Sequence, residues 1–121
     1  MVISQETAFA KHIKQAPLSG IYLMYGEETY LVQSYTKRMV ELSVEPSAQT
    51  FNLNRFEGKA LDIDELANAV ESLPVFAPVR CVVVDDFAAD SLSSSDMKKL
   101  KELFSDFSPQ TLLIFSITGF I

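Results

Sequence analysis

This sequence holds very little that could do chemistry on its own. It has one cysteine and one histidine in 121 residues. A lone cysteine supports no disulfide framework and fits a reducing cytosol, so a cytoplasmic protein is expected. Cys81 sits in an apolar run and reads as a small buried hydrophobe. His12 has no cysteine or carboxylate at ligand spacing and reads as a helix-surface residue, so no metal site is expected. Basic residues are also scarce. Ten Lys and Arg against sixteen Asp and Glu leave a net charge of −6. A domain of that sign is a poor stand-alone partner for nucleic acid or for an anionic membrane surface. The N-terminus lacks the basic segment and apolar run of a secretory signal. The uncharged stretch from Thr111 to Ile121 is too short to span a bilayer.

The most informative absence lies in Ile21-Tyr-Leu-Met-Tyr-Gly26-Glu-Glu-Thr-Tyr-Leu31-Val32-Gln33. The stretch reads as a strand, a glycine turn and a helix, the setting of a phosphate-binding loop. A working loop needs G-x-x-x-x-G-K-[ST], so that backbone N–H groups and a lysine cradle the phosphates. Gly26 supplies the first glycine. Leu31 replaces the second, Val32 the lysine and Gln33 the hydroxyl residue. Leucine closes the backbone approach that glycine permits. No cation remains for phosphate, and Glu27 and Glu28 would repel it. The pattern is a nucleotide site without its nucleotide chemistry, with no cofactor expected, and it points to work done by surface contact.

What is present is an orderly alternation of strands and helices in a chain of one-domain length. Ser4 can cap a helix from Gln5 to Gln15, with Phe9 and Ile13 on one face, and Pro17 and Gly20 end it. Ile21 to Tyr25 is a near-continuously apolar strand, as buried parallel strands are. Glu28 to Leu42 has helical periodicity at Leu31, Val32, Tyr35, Met39 and Leu42, and Tyr30, Tyr35 and Met39 are expected in the core. Gln49 to Phe56 alternates, with Phe51 and Leu53 against Asn52 and Asn54, as in a half-exposed edge strand. Asp62, with Glu65 three residues on, resembles the cap of a helix carrying Ile63, Leu66, Ala67, Val70 and Leu73. Arg80 to Val84 is a third strand. Ser95 can cap a helix with Met97, Leu100, Phe104 and Phe107 inward, which Pro109 ends before a fourth strand from Thr111 to Thr118. The fold expected is α/β, a mostly parallel sheet with helices on both faces. Because the chain stops three residues after that uncharged strand, it reads as an N-terminal fragment of a longer protein.

Two groups could carry function. Val82-Val-Val-Asp85-Asp86 has the outline of a Walker B strand, where one acid holds Mg²⁺ and the next orients water. Acids also sit at strand ends as caps or solvated groups, which is the plainer reading without a P-loop lysine. Ser91, Ser93, Ser94 and Ser95 have no histidine near them in sequence and read as loop and cap, so no catalytic residue is expected there. Lys98, Lys99 and Lys101, flanked by Asp96 and Glu102, read as a solvated helix face. The second group is Leu73-Pro-Val-Phe76-Ala-Pro78, apolar residues hemmed by two prolines between a helix and a strand. Prolines lower the entropy cost of presenting side chains to a partner. The segment is either a plug for the sheet end or a protruding Val/Phe anchor for a partner's pocket.

Taken in order, Tyr22-Leu-Met-Tyr-Gly-Glu-Glu-Thr-Tyr-Leu-Val, Asn52-Leu-Asn-Arg-Phe-Glu-Gly, Leu73-Pro-Val-Phe-Ala with Arg80-Cys-Val-Val-Val, and Pro109-Gln-Thr-Leu-Leu-Ile-Phe resemble the N-terminal domain of the delta subunit of bacterial DNA polymerase III. The resemblance implies a P-loop NTPase/AAA+-like three-layer domain over residues 1–121 with a degenerate nucleotide loop, lacking the lid and the C-terminal collar. It implies a clamp-loader subunit that binds the sliding clamp and helps open the ring without hydrolysing ATP. Such a subunit belongs to the DNA polymerase III holoenzyme, works with other loader subunits and meets DNA through the assembly. The clamp contact it implies falls on Leu73, Pro74, Val75 and Phe76. The AAA+ order it implies puts the fourth strand between the first and third. A missing fifth strand would leave Ile21 to Tyr25 an open apolar edge, a route to self-association. The Asp85-Asp86 pair is more Walker-B-like than this family leads one to expect. A nucleotide-binding AAA+ or P-loop ATPase using those acids, and a receiver-like or flavodoxin-like module built around them, stand as the alternatives.

Overall fold

The computed structural model describes residues 18–25, 28–88 and 92–117. The helix expected from Gln5 to Gln15, with Ser4 and His12, lies outside them, as do Gly26, Glu27 and Ser91. Four strands, β1 (Gly20–Tyr25), β2 (Leu53–Glu57), β3 (Arg80–Asp85) and β4 (Thr111–Ile117), form one sheet in the order β1-β4-β3-β2. Every neighbouring pair is parallel. Ile114 of β4 registers with Tyr22 on one side and Val83 on the other. The fourth strand therefore does lie between the first and the third. A flavodoxin-like sheet instead puts its first strand between the second and third, so this order excludes that alternative. Among the described residues β1 pairs only with β4, and its Leu23 and Tyr25 stay partly exposed.

The two central strands are apolar throughout because both their faces are covered. Period-two alternation sends Cys81, Val83, Leu112 and Ile114 to one face and Val82, Val84, Leu113 and Phe115 to the other. The first face packs against α1 (Thr29–Ser43) through Met39 and Val40. The second packs against α3 (Ile63–Glu71) and α4 (Ser94–Ser105) through Leu66, Val70, Leu100 and Leu103. The result is a helix–sheet–helix sandwich. Cys81 is fully buried, and desolvation pushes its thiol up to about 12 even with Arg55 nearby. At neutral pH it is a protonated packing group, as its apolar setting in the sequence predicts.

Helix phase explains where side-chain placement departs from expectation. The buried positions of α1 are Val32, Thr36, Met39, Val40 and Ser43, spaced i, i+4, i+7, i+8 and i+11 along one stripe. Tyr30 lies two residues before Val32, on the opposite face, and is 75% exposed rather than in the core. Asp62 caps α3, its Oδ1 accepting the N–H groups of Asp64 and Glu65 at 2.9 and 3.3 Å. Helix α4 starts earlier than Ser95 would allow. Ser93 is the cap, its hydroxyl accepting the Asp96 N–H at 3.1 Å. That start places Asp96 in the first turn, where the helix dipole favours an acid. Leu73 falls beyond the end of α3 and is 70% exposed.

The run from Gln49 to Phe56 is not one strand. A 3-10 turn at Pro46–Ala48 leads into a single helical turn, α2 (Gln49–Asn52), and β2 begins only at Leu53. The inside and outside residues are also exchanged relative to the alternation. Asn52 is completely buried and Phe51 is 63% exposed. The physical reason is that the Asn52 amide finds hydrogen-bond partners inside the fold, which removes the cost of burying it.

Candidate functional site

The residues singled out in the sequence fall at opposite ends of β3. Asp85 closes the strand and the segment 73–78 leads into it. Six strand residues at about 3.3 Å each separate the two ends by roughly 20 Å.

At the C-terminal end of the sheet, Gln33, Thr36, Lys37, Arg55, Asp85, Asp86 and Ser116 line an open crevice. This is where an α/β sheet of this kind holds a ligand. Arg55 Nη1 sits 3.0 Å from Asp85 Oδ2, an ion pair across β2 and β3 with both side chains nearly half exposed. Such a pair contributes little to stability, about 0–1 kcal/mol. Its consequence is local: the acid at the Walker B position already has a cationic partner. Val32, at the position of the phosphate-binding lysine, is only 5% exposed and packs into the core. Valine has no charge to offer a phosphate. Among the described residues no three of His, Cys, Asp and Glu come together as a ligand set. Lys99, from the lysine group on α4, lies 3.2 Å from Asp64 Oδ1 on an exposed helix face, away from this crevice.

At the N-terminal end of the sheet, the segment between α3 and β3 forms an apolar tip. Leu73 is 70% exposed, Val75 41% and Phe76 fully exposed. Phe76 also has φ 54°, a left-handed backbone that bulky L-residues rarely adopt. Holding it costs roughly 1–2 kcal/mol, so the surrounding contacts must fix it. They do so from below. Asn52 Nδ2 donates to the Val75 carbonyl at 2.7 Å, and the Val75 N–H donates to Asn52 Oδ1 at 2.6 Å. Arg80 braces the same base. Its Nε donates to the Ala69 carbonyl at 2.8 Å and its Nη1 to the Phe51 carbonyl at 3.1 Å, while Nη2 donates to Asn54 Oδ1. Phe76, Ala77 and Pro78 also border a shallow groove against Leu42 and Ala48.

Leu73, Val75 and Phe76 are thus all exposed on this one segment, with Pro74 partly covered between them. The plug reading fails for Phe76, which covers nothing. Asn52 and the bracing role of Arg80 were not visible in the sequence. An asparagine inside an alternating polar/apolar run looks solvent-facing, and only the chain's return at Val75 supplies its partners.

A family model described as DNA polymerase III, delta subunit, matches residues 22–119. The DNA polymerase III subunit delta of Bacillus subtilis (strain 168) is 30% identical over 74 residues, covering 61% of this chain and 21% of that protein. The chain therefore spans about a fifth of that relative's length. Among solved structures, the Bacillus subtilis DNA clamp loader delta protein superposes with a TM-score of 0.79 at 20% identity, over 95% of this chain and 36% of the other. A DNA polymerase III gamma subunit-related protein from Thermotoga maritima superposes at 0.66 with 9% identity, over 95% of this chain and 40% of its own. At those identities the two structures bear on the fold alone, and they agree with the helix–sheet–helix sandwich described above.

Proposed function

The chain belongs to the DNA polymerase III delta-subunit family, and from that premise we propose that it docks on the sliding clamp through Leu73, Pro74, Val75 and Phe76 and helps open the ring for loading onto DNA. The observation that carries this is Phe76. It is a fully exposed aromatic with a left-handed backbone, and the residue just before it is held by two hydrogen bonds to the Asn52 amide. Strain maintained by the surrounding fold is a feature of ligand clamps and switch regions. An exposed aromatic flanked by aliphatic side chains is also the composition of an interface anchor.

The work done would be mechanical. A tip that fits the open or distorted clamp interface better than the closed one shifts the ring toward opening by that difference in affinity, and by no more. The energy that times the exposure of the tip would come from ATP bound by other clamp-loader subunits. Those subunits would be contacted through parts of the full-length protein beyond this domain, with DNA reached only through the assembly. This polypeptide would hydrolyse nothing.

Titrating the purified chain against immobilised sliding clamp from the same organism tests the reading. Saturable binding that a second, soluble portion of clamp competes away is expected. No saturable binding at a hundred micromolar or so, a concentration that detects even weak contacts, would overturn it. Position alone favours the rival reading, a nucleotide-binding ATPase, since Asp85 and Asp86 stand where Walker B acids stand. Calorimetry with Mg-ATP separates the two. No saturable heat is expected, because Val32 is in the core and Arg55 already pairs with Asp85. Micromolar binding would favour the rival.

A further inference from the structure

We infer that Asn52 is a positioning residue for the tip, holding the Val75 backbone so that Phe76 is presented in one direction before any partner arrives; this rests on the docking reading above. Asn52 lies on the short helix α2 and is fully buried. Its amide is used on both sides. Oδ1 accepts the Val75 N–H at 2.6 Å, and Nδ2 donates to the carbonyls of Val75 at 2.7 Å and Ala48 at 2.9 Å. Pairing with both the N–H and the C=O of one residue is what a neighbouring β-strand does for its partner. Here a side chain does it for a loop that has no strand beside it. The Ala48 bond fixes the amide plane from within its own helical turn, so the remaining N–H and the oxygen face Val75 in a set orientation.

Val75 is the residue just before Phe76. Fixing both its polar groups leaves the chain one way to enter the left-handed turn at Phe76, φ 54°. A tip populated in one conformation binds with its intrinsic affinity, and one populated in a fraction of molecules binds more weakly by that fraction. No other side chain repeats the arrangement in this space. Aspartate at neutral pH lacks the donors, glutamine is one methylene longer, and alanine has neither group.

The test is amide exchange and clamp affinity on the same proteins. In the wild-type chain the Val75 amide is expected to exchange about 100-fold more slowly than that of Phe76, since only a hydrogen bond that opens with a free-energy cost gives protection. Comparable exchange at the two positions would overturn the inference without any variant. In Asn52→Ala, Val75 protection is expected to vanish while Val83, in the centre of the sheet, keeps its own. Clamp affinity should then fall about tenfold in the wild-type background and less than twofold in a Phe76→Ala background. Coupling of that kind marks residues that act together. Equal losses in both backgrounds, or retained Val75 protection, would overturn it. If Val83 also loses protection, Asn52→Ser takes the place of Asn52→Ala. A serine hydroxyl still reaches the carbonyl four residues back but leaves Val75 unbound. A wild-type chain that shows the exchange pattern but no clamp binding would overturn the docking reading and leave the positioning of the loop by Asn52 standing.

Discussion

Replacing Phe76 with alanine is expected to remove most clamp binding while leaving the domain folded. The side chain is fully exposed, so its loss opens no cavity. Unfolding free energy should change by less than about 1 kcal/mol, as for surface substitutions. Alanine shares the dislike of a left-handed φ, so relief of strain does not complicate the comparison. Binding should weaken by about 2 kcal/mol or more, the hot-spot range, which is roughly 30-fold in affinity. Thermal unfolding and clamp titration on the same preparation decide the matter. A variant that keeps wild-type affinity would remove Phe76 as the anchor. A loss of about 3–5 kcal/mol in stability, the cost of truncating a buried Phe, would mean that the ring is packed in solution.

The largest stability effect is expected from Gly58→Ala, at the opposite end of the sheet. Gly58 follows β2 and lies against the turn that leaves β3. A Cβ there would sit 2.4 Å from the Asp86 carbonyl oxygen and 2.4 Å from the Phe87 Cα. Both obstacles are backbone, so no side chain can swing away. The φ of Gly58 lies outside the left-handed region, which makes the conflict purely steric. Relief requires moving the 86–87 turn. That turn is pinned by the Phe87 N–H donating to the Ser116 carbonyl at 2.9 Å and by the Phe87 ring lying 4.6 Å from that of Phe115. A cost of about 3 kcal/mol follows, at the upper end of the range for overpacking. Urea unfolding would show it as a lower midpoint with an unchanged slope. A loss below about 1 kcal/mol would mean that the turn yields freely. Clamp affinity of the folded fraction should be unaffected, since Gly58 and the tip lie at opposite ends of the strands. The two variants together separate the stability of the sandwich from the function of its tip.

The crevice at the C-terminal end of the sheet brings Asp85 and Asp86 together with Arg55 and Lys37. The acids stand at a Walker B position, while Val32, at the lysine position, is core and Arg55 pairs with Asp85. At the other end of the sheet, the exposed Phe76 is the feature that stands out.

The sequence by itself determined the layers. Apolar runs at Ile21–Tyr25, Cys81–Val84 and from Thr111 marked the strands, and helical stripes between them supplied the cover. Caps such as Asp62 and breakers such as Pro46 and Pro109 set most of the boundaries, because those signals act over three or four residues. The missing lysine and second glycine were equally local, and the ordered motifs pointed to the family. What the sequence left open were the properties that need two distant segments to meet. It offered the proline-bracketed segment as either plug or anchor, and only the packed fold leaves Phe76 bare. It placed Asn52 outside and Phe51 inside, because polar/apolar alternation describes a residue's own preference for water. The preference was overruled by the return of the chain 23 residues later, which brings Val75 to the Asn52 amide. The Arg55–Asp85 pair spans 30 residues in the same way. Short-range patterns are written in the chain because they depend on local spacing. Long-range hydrogen bonds exist only after the sheet has set which strands are neighbours.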